Sequence, residues 1–137
     1  DSWFPPTGSR AHNEIIDEIL ERMKLTHVGH LPAGTLSHGQ QRRLEVGMAL
    51  SARPKAIFLD EPTSGMGIDD IDAMKNLIHG LRGDHTVVLI EHNMEMIARL
   101  CPRVIVMAAG KALAEGAPAD VTKRADVIDV YLEGMPV

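Results

Sequence analysis

Apolar residues recur at two different periods along this chain, and the changes of period mark out its elements. Between His12 and Lys24, the residues Ile15, Ile16, Ile19, Leu20 and Met23 fall at helical spacing with Glu and Asp between them. This predicts an amphipathic helix over 12–24, after an irregular lead over 1–10 that holds Pro5, Pro6 and Gly8. Gly29, Pro32 and Gly34 make 26–36 a loop. A second helix is expected to start at Ser37 or His38 and to run to Ser51, with Leu44, Met48 and Leu50 as its apolar contacts and Arg53-Pro54 as its end. Two short runs, Ala56–Leu59 and Thr86–Ile90, are apolar throughout and end in Asp60-Glu61-Pro62 and Glu91-His92. Such runs suit parallel strands buried on both faces. Ile71, Met74, Leu77, Ile78 and Leu81 place a helix over 68–82 between them, which completes a strand–helix–strand unit. A helix over 93–100 follows, and then a strand pair, Val104–Met107 and Lys111–Ala114, turning at Ala108-Ala109-Gly110. Short helices over 118–123 and 125–133 close the chain. The class is α/β.

Composition narrows the function classes. The 137 residues suit one small domain, and 45% hydrophobic residues suffice for a packed core. Only 3% are aromatic, so the core is aliphatic, and core filling accounts for the eight methionines, Met94 and Met96 among them. A net charge of −5 argues against a nucleic-acid partner held through a basic face. The single cysteine, Cys101, excludes an intrachain disulfide. No apolar run is long enough to span a bilayer, and the first residues have neither the basic nor the apolar region of a signal peptide. The absence of an initiator Met leads to the expectation that the chain starts inside a longer protein or was processed or trimmed.

Two local patterns carry chemistry. Leu59-Asp60-Glu61-Pro62 puts carboxylates at the C-terminal end of a strand, where α/β sheets bind ligands. Asp60 could hold Mg²⁺ through water, because that ion keeps its hydration shell, and Glu61 could polarise a water for attack on a γ-phosphate. Taken alone, a solvated acidic turn reads equally well. Leu36-Ser37-His38-Gly39-Gln40-Gln41 opens a helix. Ser37 is a good N-cap, the helix N-terminus favours an anion, and Gly39 would let backbone approach a phosphate closely. Taken alone, a capped helix with nothing bound is the simpler account. His27 and His30 are read as surface histidines rather than a metal site, since no third ligand is evident. Arg42 and Arg43 are read as a solvated helix face or as contacts between subunits.

Together, in this order and spacing, LSHGQQRRLEVGMAL, AIFLDEP and TVVLIEHNM resemble the signature, Walker B and His-switch regions of ATP-binding cassette (ABC) transporter ATPase subunits. LSHGQQRRLE, EPTSGMG, LIEHNME and GKALAEGAP are most similar to the branched-chain amino acid importer branch of that family. The resemblance implies a partial P-loop NTPase fold, an incomplete and mainly parallel sheet flanked by helices with part of the helical subdomain. Residues 1–53 would be lead and helical signature subdomain, and 54–137 the C-terminal part of a RecA-like core. It implies ATP and Mg²⁺ as cofactors in the complete domain. It also implies partners: a second ATPase subunit and transmembrane permease subunits, at the cytoplasmic side of the inner membrane. By the same resemblance, Ser37, His38, Gly39 and Gln40 close over ATP held by the second subunit. Asp60 is the magnesium residue, Glu61 the general base, and His92 the switch histidine at the γ-phosphate. Ser64-Gly65-Met66-Gly67 stands at the D-loop. His38 replaces the usual first glycine of the signature, and Gly67 the usual D-loop Asp.

A phosphate loop, GxxxxGK followed by Ser or Thr, is absent. The one Gly-Lys pair, Gly110-Lys111, precedes Ala112 and has Ile105 where the first glycine belongs. Without that cradle, negligible ATPase activity and weak or absent ATP binding are expected of the chain by itself. In the family the missing strand lies between the Thr86–Ile90 and Val104–Met107 strands, and the gap it leaves invites rearrangement, self-association or an N-terminal partner. A non-enzymatic alternative is an interaction or regulatory module that docks on an intact ATPase subunit.

Overall fold

The computed structural model describes residues 10–133, so nearly all of the irregular lead lies outside the described residues. Two compact units follow one another, residues 1–90 and 91–137.

In the first unit, helix α1 (Arg10–Arg22) packs on helix α2 (His38–Ser51), with Met23 and Leu25 fully buried just beyond α1. The loop between them is tighter than the sequence suggests. It contains two single 3₁₀ turns, Thr26–Val28 and Ala33–Thr35, built from local backbone bonds. Helix α2 begins where Ser37 predicts it, because Ser37 and Gln40 form a reciprocal capping box. It stops before Pro54, with Arg53 turned to φ 48°. Val46 and Leu50 face the core, whereas Met48, expected among the contacts, is exposed. Strand β1 (Ala56–Asp60) pairs in parallel with β2 (Thr86–Ile90), residue for residue from Ala56↔Thr86 to Asp60↔Ile90. Helix α3 (Ile68–Gly80) connects them and buries Met74 and Ile78.

The expectation that these strands are buried on both faces is corrected. Ile57 and Leu59 are buried, but Phe58 is 70% and Ile90 50% exposed, and Val88 is exposed beside them. The pleat sends alternate side chains to opposite faces, and the described residues of this unit cover only one of those faces.

In the second unit, Asn93 caps helix α4 (Met94–Leu100) by accepting from the Met96 N–H, and Met96, Ile97 and Leu100 are buried. Strands β3 (Val104–Ala108) and β4 (Lys111–Gly116) form an antiparallel hairpin. Its two-residue turn has positive φ at both Ala109 (47°) and Gly110 (75°), the geometry that matches the twist of the strands and that glycine adopts without strain. Helices α5 (Pro118–Val121) and α6 (Ala125–Glu133) cover the hairpin around Ala114, Val121 and Val127. At the start of α6, a hydrogen bond from Arg124 holds the Asp126 carboxyl below its ordinary pKa and raises that of the guanidinium. Among the described residues, the first unit holds the two-stranded sheet β1–β2 and the second unit the two-stranded sheet β3–β4.

Candidate functional site

Two turns of the first unit carry most of the candidate residues. The first opens α2. Ser37 Oγ accepts from the Gln40 N–H at 3.3 Å, and Gln40 Oε1 accepts from the Ser37 N–H at 2.9 Å. Each of these two candidate side chains therefore holds the other residue's backbone N–H. Among the described residues, no partner takes the N–H groups of His38 and Gly39, which lie at the positive end of the helix. The His38 ring lies outside the helix, with Nε2 3.3 Å from the Ser64 carbonyl oxygen.

Gly39 is buried, and its reason differs from the expected one. A Cβ at this position would lie 2.2–2.5 Å from the three carboxylate atoms of Asp70 on α3. The space a Cβ would take is occupied by a side chain of its own unit. Arg43, one turn further along α2, is only 11% exposed, which corrects its reading as a solvated residue. Its Nε donates to the Gly39 carbonyl at 3.4 Å, and its Nη2 lies 3.5 Å from Asp70 Oδ1. Sequence reasoning missed Asp70 and gave Arg43 the wrong surroundings. The available signal was a glycine inside the first turn of a helix, where any other residue is better tolerated.

The second turn follows β1. Asp60 ends the strand opposite Ile90 and is exposed. Glu61 stands at φ 42°, the left-handed region that a side chain other than glycine occupies at a cost of about 1–3 kcal/mol. The ladder and the turn hold it there: its N–H donates to the Ile90 carbonyl at 2.9 Å, and the Ser64 N–H donates to its carbonyl at 3.1 Å. Gly67 N-caps α3 without a side-chain hydrogen bond. His92 is exposed and lies two residues past the end of β2, in the second unit. The structure thus brings Ser37, His38, Gly39 and Gln40 into one turn, and Asp60 and Glu61 into another.

The fit to ATP and Mg²⁺ is partial. Magnesium binds through one or two carboxylates and keeps several waters, and an exposed Asp60 at a strand end meets that requirement. No group of three His, Cys, Asp or Glu side chains able to hold a metal exists among the described residues, and Asp60 by itself would supply one contact of a site rather than a whole one. A cleft between α2 and β1 is lined by Arg42, Glu45, Phe58 and Asp60 among others and measures about 190 Å³. Small-molecule sites run to roughly 300–1,000 Å³. With no phosphate loop in the sequence, the residues present fit the rim of a nucleotide site and not its cradle.

Comparison with known proteins shows what the chain is similar to. A profile of the ABC transporter family matches residues 6–64. Over 132 residues the chain is 41% identical to the high-affinity branched-chain amino acid transport ATP-binding protein BraF of Pseudomonas aeruginosa, and the match covers 93% of this chain and 52% of BraF. It is 35% identical, over the same shares, to LivG of Escherichia coli K12, which bears the same description. Among solved structures, the ADP conformation of MJ1267, an ATP-binding cassette of an ABC transporter, superposes with a TM-score of 0.84 at 30% identity, covering 98% of this chain and 54% of that one. The chain spans about half the length of the curated relatives it matches.

Proposed function

Since this chain belongs to the ABC transporter family and spans about half the length of the ATP-binding proteins it matches, we propose that it is the C-terminal portion of an ATP-binding subunit that couples ATP binding and hydrolysis to solute transport. The similarity to BraF and LivG supports branched-chain amino acid uptake as the transport served. Residues 1–53 contribute lead and signature subdomain, and 54–137 the C-terminal part of the nucleotide core. The observation that carries the proposal is Glu61, held in left-handed backbone at the carboxyl end of a parallel strand, directly after Asp60. A carboxylate fixed at an energetic cost where α/β sheets bind ligands is in the position of a group that acts on a ligand.

In this reading Asp60 orients the waters around Mg²⁺, Glu61 accepts a proton from the attacking water, and His92 donates a hydrogen bond to the terminal phosphate. Bound Mg²⁺ supplies neutralisation of the charge on the phosphates. Ser37, His38, Gly39 and Gln40 close over a nucleotide held by a second ATPase subunit, with the free N–H groups of the first α2 turn directed to its phosphates. The phosphate loop belongs to the rest of the cassette. We place part of its docking surface on the open face of β1 and β2, where Phe58, Val88 and Ile90 are exposed. No described helix is long and apolar enough to cross a membrane. On the similarity to the transport ATP-binding proteins BraF and LivG, the reading assigns the solute path to permease subunits and puts the assembly at the cytoplasmic side of the inner membrane.

The test is equilibrium binding of a fluorescent ATP analogue with Mg²⁺. The chain alone is expected to bind weakly or not at all and to hydrolyse negligibly. Mixed with a polypeptide that carries the phosphate loop and the remainder of the cassette, it is expected to form a complex that binds and hydrolyses ATP. Ordinary transporter turnover by the chain alone, with contamination excluded, would overturn the proposal. The same open apolar face also supports a second reading, a non-catalytic module that docks on an intact ATPase subunit. That reading predicts a stable complex with the intact subunit and no activity gained with the complementing half.

A further inference from the structure

Arg42 has no part in the chemistry assigned above, yet it occupies an unusual position. It lines the cleft between α2 and β1 together with Glu45, Phe58 and Asp60. Its Nη1 donates to Glu45 Oε2 at 3.0 Å. Its Nε donates to nothing. Among the described residues, it is the one buried side-chain nitrogen or oxygen without a hydrogen-bond partner, and it exposes less than 1 Å². Buried polar groups are nearly always paired, and a charged donor left unpaired away from water is costly. The ion pair that holds the guanidinium in this pose offsets little of that cost. The Glu45 side chain is 62% and that of Arg42 38% exposed, and pairs between such side chains are weak. Arg42 is therefore poised to leave this pose once a better acceptor enters the cleft.

We propose that Arg42 is an anchor for the rest of the cassette. On docking, its guanidinium swings off Glu45, and its Nε donates to an oxygen acceptor that the rest of the cassette carries into the α2–β1 cleft. Three observations favour this occupant. The chain spans about half the length of the relatives it matches. The cleft, about 190 Å³, has room for a side chain or a short piece of main chain and is smaller than the usual small-molecule site. Phe58, on its lining, is 70% exposed and belongs to the face of β1 on which the docking surface has been placed. Val46, Ala49 and Ile57 also line the cleft. An acceptor seated among them is shielded from water, which strengthens its bond to a charged donor. The inference rests on the reading above in taking the chain as part of a cassette. The contact is tested without nucleotide, so that its failure and the failure of the nucleotide chemistry register in different experiments.

The experiment titrates the chain with a polypeptide that carries the phosphate loop and the remainder of the cassette. Arg42→Ala is expected to weaken the complex about 10- to 100-fold, the size of a hydrogen bond from a charged donor. Arg42→Lys keeps the charge but has no donor at the Nε position, and it should recover only a small part of that loss. Neither variant should move the urea midpoint of the chain alone by much, because the pair with Glu45 is weak. Glu45→Gln frees the guanidinium and should leave the affinity unchanged or raise it by up to about fivefold. In ¹⁵N–¹H spectra the Arg42 Nε–H resonance should shift, and its proton should exchange more slowly, when the complex forms. Equal losses from Arg42→Ala and Glu45→Gln would show that Arg42 acts only through the pair on its own helix, and would overturn the anchor. So would an Nε–H resonance unchanged in the complex, or the absence of any complex. A resonance that moves only with an intact ATPase subunit would overturn it in favour of the second reading. A complex that anchors Arg42 and hydrolyses no ATP would refute the nucleotide chemistry and leave the anchor standing.

Discussion

The turn that opens α2 and the turn that follows β1 use motif residues in opposite ways. In the first, the residues serve the fold. Ser37 and Gln40 satisfy each other's backbone N–H groups, and Gly39 makes room for Asp70. A sequence under selection for stability alone has reason to keep them. In the second, the residues work against the fold. Glu61 occupies backbone that favours glycine, and Asp60 spends its carboxylate on no hydrogen bond or ion pair with any described residue. The lesson concerns what a motif testifies to. Residues that stabilise are explained without a ligand, and residues retained at a cost call for one. The signature turn identifies the family; the acidic turn carries the argument for chemistry.

The largest effect expected from this contrast is at Glu61. In the assembly completed by the rest of the cassette, Glu61→Gln should lower ATP hydrolysis by about 10²–10⁴-fold, the range over which a positioned general base contributes. ATP-analogue binding should persist. Glu61→Gly should abolish hydrolysis equally while making the chain more stable, by up to about 2.5 kcal/mol in urea denaturation. Relief of the left-handed strain, about 1–3 kcal/mol, exceeds the roughly 0.5–1 kcal/mol that glycine's added freedom costs. A destabilised Glu61→Gly chain would show that the side chain supports the fold, and the contrast between the turns would disappear.

These opposite economies also decide what was legible in the sequence. The helices lie within about two residues of their expected ends because breakers and caps are local: Ser37 with Gln40, Asn93, Pro54 and Pro118 act on their own neighbours. The hairpin at Ala109-Gly110 was legible for the same reason. The two 3₁₀ turns between α1 and α2 were not, since they are single turns with no periodicity to detect. The open faces at Phe58 and Ile90 were not legible either, because β1 and β2 are apolar on both sides and only the packing of other layers decides which side is covered. At the candidate site, the strand-end position of Asp60 and Glu61 could be read, but the left-handed backbone of Glu61 could not, as glutamate gives no sign of it. Asp70 was hidden among Asp69 and Asp72, three acidic residues at the start of one helix, of which only geometry selects the one facing Gly39.

A middle-sized effect belongs to the stabilising turn. Ser37→Ala removes the acceptor of the capping box and should cost about 1 kcal/mol of stability, read as a lower urea midpoint with an unchanged slope. The Glu61 variants should move hydrolysis far more than stability; Ser37→Ala should show a clear stability loss before any nucleotide is added. A midpoint equal to that of the unsubstituted chain would mean that the capping box contributes nothing, and that Ser37 has to be explained by a ligand after all.

The smallest effect lies where the two turns share a boundary, at Gly67. This residue N-caps α3 without a side-chain bond, and a Cβ placed on it meets nothing within 4 Å. Gly67→Asp therefore fits without strain and can accept a hydrogen bond from the first turn of α3. The gain should be only a few tenths of a kcal/mol, because glycine is already a tolerable N-cap, and because Asp69 and Asp70 already crowd that helix start with negative charge. Raising the salt concentration screens this repulsion and should enlarge the gain slightly. A gain near zero in low salt that grows with salt would show that charge limits the cap. A loss at every salt concentration would mean that a carboxylate here pushes Asp70 from its place beside Gly39, and the amides of Ser37–Gln41 should then move.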